Sequence, residues 1–320
     1  MRFHKTFGLA LLATAAVITP TLAQEDFPSG DVTVIVPFAP GGAVDTTNRI
    51  IVEHANRLGL LGDYQFEVEN IANSIVGQAT PARAEPDGHT ILAMTSSVVT
   101  NPKLRDTPYE LSDYTPVALY GLDPEVIAVP ADSDIETVED FIAAATDGTV
   151  SVVTSGVGTS HHMSAIALQN RADLDLNVIN VDAFGEQVQQ VAGGHVQAAL
   201  WPWGEASQQV EAGTVRLLAV ASRERLDEFP DIPTWEEAGL NVEEFATFRG
   251  WGVAAATPED VVADLAGVLE TLSEDEDFVS AMNDAGYVVD FAGSEQFMQT
   301  IENYDELTTE IIDTAGLRQE

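Results

Sequence analysis

The 320 residues, 45% hydrophobic and only 20% charged, are too many for one compact core and too apolar for a disordered chain, so two domains are expected. Thirteen Lys and Arg stand against 52 Asp and Glu, a net charge of −39 that repels nucleic acid and anionic membrane surfaces at long range. With no cysteine, the chain has no disulfide, thiolate metal site, cysteine nucleophile or lipid-bearing cysteine.

The acids are scattered between apolar runs and not gathered into tails, the pattern of a folded, acid-coated protein. Self-repulsion destabilises such a coat in dilute buffer. At about 1 M salt the screening length falls to about 3 Å and most of that cost disappears, so a halophilic source is the simplest account.

In chain order, residues 1–23 carry no acid, and Arg2 and Lys5 precede a run of 12 apolar or small residues from Phe7 to Ile18. Thr21-Leu22-Ala23 offers a cleavage site, so the segment reads as a secretory signal peptide cut near Ala23. A membrane anchor is the alternative, but spanning a bilayer takes about 20 apolar residues. Loss of Arg2 and Lys5 with the segment takes the charge to −41. The mature protein is expected to be periplasmic.

Asp31–Phe38 is a β-branched strand feeding a Pro-Gly loop. Val44, Thr47, Ile51, Ala55 and Leu58 then recur at helical spacing until Gly59. A strand through Tyr64, Phe66 and Val68, a helix over 74–84 and a strand from Thr90 to Met94 complete a β-α-β-α-β opening. The same alternation resumes with strand Val126–Val129, helix Thr137–Ala145, strand Val150–Val153, a helix from Thr159 and strand Val178–Val181. A helix over Glu186–Val191 and strands Val196–Leu200 and Val215–Ala221 follow. Alternating strands and helices predict an α/β fold of mostly parallel sheets flanked by helices.

From Thr257 onward the pattern is helical: Thr257 as a cap with Pro258 and Asp260 behind it, then helices near 276–285 and 295–314. A helical tail cannot close a core alone, so it is expected to return to the first sheet. The expected division is residues 24–125 and 247–320 in one lobe and 126–246 in the other, a two-lobed clamp around a cleft.

Two strand-to-helix loops suit an anion. Pro37-Phe38-Ala39-Pro40-Gly41-Gly42 offers helix-start amides, with a plain tight turn as the alternative. Ser155-Gly156-Val157-Gly158-Thr159-Ser160-His161-His162 adds hydroxyls, and it lacks the lysine of a P-loop and the third glycine of a dinucleotide fingerprint. Ser160, His162 and Asp182 have the residue types of a hydrolase triad, but Ser160 is not in a G-x-S-x-G elbow. The adjacent His161 and His162 point different ways on a helix and make a poor metal pair. No catalytic residue, metal or cofactor is assigned.

Val36-Pro37-Phe38-Ala39-Pro40-Gly41-Gly42 with Asp45 and Arg49 resembles the opening of tripartite tricarboxylate transporter solute-binding proteins, the Bug or TctC family. Glu69-Asn70, Pro86-Asp87-Gly88-His89-Thr90, Thr115-Pro116-Val117-Ala118, the Ser155–Thr159 loop with His162, Gly193-Gly194, Ile232-Pro233-Thr234, Arg249-Gly250 and Thr257-Pro258 follow in family order. The resemblance implies a periplasmic-binding-protein-like fold, expected to be monomeric, that closes on a small organic acid and delivers it to a permease of one large and one small subunit. A sensory receptor for the same acids is the alternative.

Matched motif by motif, the resemblance implies ligand contacts from Phe38, Ala39, Gly41 and Gly42 in one lobe and from Ser155, Gly158, Thr159, Ser160 and His162 in the other. Ser96 and Ser97 are further candidates, as are Asn73 and Ser74, which stand where the family has a glycine-rich stretch. Asp182 and Phe184 replace a family Pro-Tyr-Lys segment. Asp182 pairs with a ligand amine or is a surface charge of salt adaptation. Trp201, with Trp203, walls the cleft or fills lobe core. Arg249 binds a ligand carboxylate or an acid of the protein.

Overall fold

The computed structural model describes residues 27–242 and 244–318, so the expected signal segment and its cleavage site near Ala23 lie outside the described residues. The chain opens with β1 (Val32–Val36), followed by α1 (Ala43–Leu58), β2 (Phe66–Asn70), α2 (Ser74–Ala82), β3 (Thr90–Thr95) and α3 (Ser97–Leu104). β1 pairs in parallel with β2 and β3, because each return passes through a helix. β4 then runs unbroken from Tyr114 to Pro130.

After β4 come α4 (Val138–Asp147), β5 (Val150–Thr154), α5 (Ser160–Ala172), β6 (Leu176–Asn180), α6 (Phe184–Ala192) and β7 (Ala198–Pro202). β5 lies in parallel between β6 and β7, a second trio built like the first. α7 (Trp203–Glu211), β8 (Val215–Val220), β9 (Ala246–Ala254), α8 (Glu259–Ser273), α9 (Glu276–Asp284), β10 (Ala292–Gly293) and α10 (Ser294–Thr314) complete the chain.

β4 joins the two trios. Tyr114 to Pro124 pairs antiparallel with β9, which itself pairs with β3. From Glu125 onward β4 pairs with β7 on one side and, from Val126, with β8 on the other. Only Val126–Val129 of this strand is legible from propensity, because Pro116, Gly121 and Pro124 interrupt the pattern; two register shifts against β9 absorb the irregularity. β9 is equally hidden behind Arg249, Gly250 and Gly252. Gly250 is required by packing, since a Cβ there would collide with the Phe297 ring and the Ala118 carbonyl. α3 and α7 also escape the sequence reading; Trp203 opens α7.

The helical tail covers the first half-sheet and more. α8 and α9 pack with α1 through Ile51, Leu265, Leu269 and Phe278. The expected Thr257 cap does not form: α8 starts at Glu259, and the Thr257 hydroxyl is buried without a partner. α10 touches both halves. Lys103 of α3 pairs with Asp305 at 2.7 Å, while Arg171 of α5 pairs with Glu310 at 3.1 Å and the Asn170 amide donates to the Ile311 carbonyl at 3.2 Å.

Beneath α10, one apolar cluster runs from Leu92 and Met94 through Phe248, Phe297 and Ile312 to Ile127, Phe141 and Leu168. Each fully buried side chain of this size stabilises by about 1.5–3 kcal/mol. The halves therefore share a core.

Candidate functional site

The start of α1 is set by local chemistry. Asp45 in its first turn accepts from the Gly41 amide at 2.9 Å and is itself held by Arg49 and Asn70, each at 2.9 Å. These bonds hold the Asp45 carboxyl below its usual pKa against the opposing effect of burial. The loop from Pro37 to Gly42 is thereby fixed, and α1 opens at Ala43 with no side-chain cap. α3 opens at Ser97 and α6 at Phe184, again with no side-chain cap, whereas α5 is capped by Thr159, whose hydroxyl accepts from the His162 amide.

These four helix starts converge on one cavity of about 140 Å³ between the half-sheets. Phe38, Ala39, Gly42, Ala43, Ser96 and Ser97 line it from the first half, and Ser155, Thr159, Ser160, His161, Asp182 and Phe184 from the second. Each helix start carries roughly half a positive charge from its unpaired amides, so the cavity favours an anion although its walls bring acids of their own. A groove of about 300 Å³ continues outward along Asn73, Ser74, Asn101 and Arg105 and shares Phe38, Ser97, Ser155 and Asp182 with the cavity.

Besides Asn73 and Ser74, which lie along the groove, Gly41, Gly158, His162, Trp201 and Trp203 were singled out from sequence but do not line the cavity. The Gly41 amide is spent on Asp45. Trp201 is fully buried in the second half, its indole donating to Gln187 at 2.7 Å, so it is core and not cleft wall. His162 is buried and accepts from the Gly158 amide at 3.4 Å, its pKa pulled down to about 4 by burial and the nearby Arg105. Gly158 itself faces α3 of the other half, its carbonyl accepting from Thr100, while the neighbouring Val157 carbonyl accepts from Arg105. Both anion-ready loops thus border the cavity, and the glycine of the second also faces the seam between halves.

Gly158 has φ +89°, and a Cβ there would lie 2.6 Å from Asn101 Oδ1, on a side chain already tied to Gln78 at 3.0 Å. Gly158→Ala is expected to strain the turn by about 1–2 kcal/mol and to wedge the halves apart. Ligand affinity, measured by calorimetry, should fall at least about tenfold, more than the loss of fold stability explains. Unchanged affinity would remove Gly158 from the closure seam.

The hydrolase triad is not assembled. The Ser160 hydroxyl bonds Thr247, which donates to Glu125 at 3.1 Å, and His162 bonds the Gly158 amide. Among the described residues no group of three or more His, Asp or Glu is arranged for a metal ion.

Arg249 lines the cavity and is paired with Asp123, while its Nε is buried without a hydrogen-bond partner. Its guanidinium meets Asp123 at 2.6 Å, is only 3% exposed and lies 5.5 Å from the Tyr287 ring centre. Burial opposes its charge, but Asp123, Tyr287 and Glu205 hold the pKa above the ordinary value.

Sequence reasoning missed three buried acids here. Asp123 and Glu125 lie on β4 and Glu205 on α7. Glu125 is fully buried, and burial pushes its carboxyl up to about 8, with Asp123 adding to the effect and bonds from Ser160 and Thr247 opposing it. The missed signal was two acids at strand spacing inside an apolar run.

Two half-sheets joined through the shared strand β4, with a cavity of helix starts between them, define a two-lobed solute-binding protein. Residues 65–317 match the pattern of the tripartite tricarboxylate transporter family receptor, TctC, and the chain belongs to that family. A UPF0065 protein encoded between tcbD and tcbE in Pseudomonas sp. strain P51 is 33% identical over 290 residues, 87% of this chain and 84% of that protein. BugT of Bordetella pertussis is 28% identical over 71% of each chain.

Among solved structures, the periplasmic binding protein BugD superposes with a TM-score of 0.82 at 26% identity, covering 92% of this chain and 100% of that one. MatC of Rhodopseudomonas palustris with bound malate gives 0.77 at 26% identity, over 90% and 99%. Rpa4515 of R. palustris, solved with adipate, gives 0.83 at 22% identity over 91% and 99%, a likeness of fold.

Proposed function

We propose that the chain is an extracytoplasmic receptor that captures a small carboxylate in the cavity and delivers it to the membrane permease of a tripartite tricarboxylate transporter. The convergence of the α1, α3, α5 and α6 starts on one cavity carries this reading. Phe38, Ala39, Gly42, Ser96, Ser97, Ser155, Thr159 and Ser160 would contact the ligand, with Asn73 and Ser74 along its approach. The lobes divide at the β4 exchange of partners near Glu125 and again near β9, and the segment 1–23 directs export to the periplasm.

Malate bound to MatC supports the substrate class. Among the described residues no helix is long and apolar enough to cross a membrane.

Against a net charge of −39, an anion gains nothing from long-range steering. Helix-start amides act at short range and survive screening, so binding is expected to persist in molar salt. Thermal unfolding with malate, adipate, succinate, citrate and aromatic acids, at low and at molar salt, tests this. A ligand at about 100 times its Kd adds about 2.7 kcal/mol of stability and raises the melting temperature. No shift with any carboxylate at either salt would refute the reading.

A further inference from the structure

Glu205 is a carboxyl group standing where an anionic ligand belongs. It comes from the first turn of α7, yet its Oε1 lies 3.4 Å from the amide of Ala43, the first residue of α1 in the opposite half. It lines the same cavity as the four helix starts. Its side chain is one-tenth exposed, and its Oε2 is buried with no hydrogen-bond partner, 3.9 Å from His161 Nε2.

The surrounding groups offer Glu205 no free counter-charge. Arg249 of β9 is already paired with Asp123 of β4. Glu125, two residues further along β4, adds another acid, as does Asp182 at the cavity wall. His161 of α5 is held neutral, pulled down to about 3 by burial and then by Arg249. Tyr120 and Tyr287 stay uncharged because burial raises both. An ionised Glu205 beside a bound carboxylate would thus set two anions against one committed cation, and two carboxylates sharing a site cannot both stay ionised.

We propose that Glu205 binds the ligand as a carboxylic acid, donating its proton in a hydrogen bond to the carboxylate seated among the helix starts. Capture of one fully ionised ligand by the ionised receptor then takes up one proton from solvent, which stays on Glu205, and no covalent bond of the ligand changes. The required proton is available near neutrality. Burial pushes the Glu205 carboxyl up to about 7, with Asp123 adding to the effect and Arg249 and the Ala43 amide opposing it. This inference rests on the carboxylate reading above and adds that the second lobe selects an anion by offering a neutral acid.

The test is calorimetric titration of the mature chain with malate and with adipate from about pH 6 to about pH 9 at fixed molar NaCl. Both ligands are ionised across this range. Because only the protonated fraction binds, affinity should fall by about tenfold per pH unit above about 7, roughly a hundredfold by about pH 9. Buffers of different ionisation enthalpy should report proton uptake approaching one per ligand at the alkaline end, a measurement that needs no variant.

Glu205→Gln keeps a donor and cannot ionise. It should lose the pH dependence and bind at about pH 9 as tightly as the native protein does near pH 6. A flat native profile, or a slope that survives in Glu205→Gln, overturns the proposal while leaving carboxylate binding intact. So does tighter binding of 6-aminohexanoate than of adipate at alkaline pH, which would show Glu205 acting as an anion. If neither malate, adipate nor any other carboxylate binds at any pH, the receptor reading falls and this inference with it.

Discussion

Arg249→Met is expected to cost the fold about 3–5 kcal/mol, the usual penalty for stranding one member of a buried ion pair. Asp123 is 8% exposed, and without the guanidinium its remaining polar partner is the Gly204 amide, at 3.0 Å from Oδ1. The cost arises from the unpaired carboxylate and not from lost attraction alone. Asp123→Asn combined with Arg249→Met should therefore recover much of the loss. Denaturant unfolding of the four-member cycle at constant molar salt measures the coupling. A single-variant cost below about 1 kcal/mol would show that the pair contributes nothing beyond a surface contact.

Glu125→Gln should act in the opposite direction, by an amount that grows as pH rises above 4.5. The folded carboxyl titrates at about 8 and its ordinary value is 4.5, so between these limits the folded state binds more protons than the unfolded one. Stability contributed by this group is full below pH 4.5 and is lost as pH rises through about 8. At roughly 1.4 kcal/mol per pH unit the ceiling is on the order of 5 kcal/mol. The variant should match the native protein near pH 4.5 and exceed it increasingly toward pH 9, as followed by melting temperature across pH. Equal pH profiles for the two proteins would mean that Glu125 reaches solvent or a counter-charge.

Much of the architecture could be read from local pattern. The β-branched run at Val32, the helix spacing of Val44 to Leu58 and the strand–helix alternation around Val150 and Val178 are each a property of neighbouring residues, and each reappears as an element. β4 could not be read, because its proline and glycine positions are tolerated only through long-range pairing with β9.

The site follows the same rule. Phe38, Ala39 and Gly42, and Ser155 with Thr159, stand at strand-to-helix turns legible in the local sequence and line one cavity with Ser96 and Ser97, whose helix α3 was not legible. Gly158 is a ligand candidate by motif match and Trp201 by its place after a strand, but their environment is set by α3 and by Gln187. Glu205 meets Ala43 across 162 residues, a relation that no local pattern encodes.

The partition of β4 has a bearing on how this protein can be altered. A single strand supplies hydrogen bonds to both half-sheets, exchanging β9 for β7 and β8 around Glu125, so a cut at that point would deprive each side of its middle. Neither side is a portable module, and hybrid receptors built by trading sides between relatives would inherit a broken spine. New ligand preferences are more readily grafted at the tips of the helices, where a few turns can be rewritten without disturbing the joint.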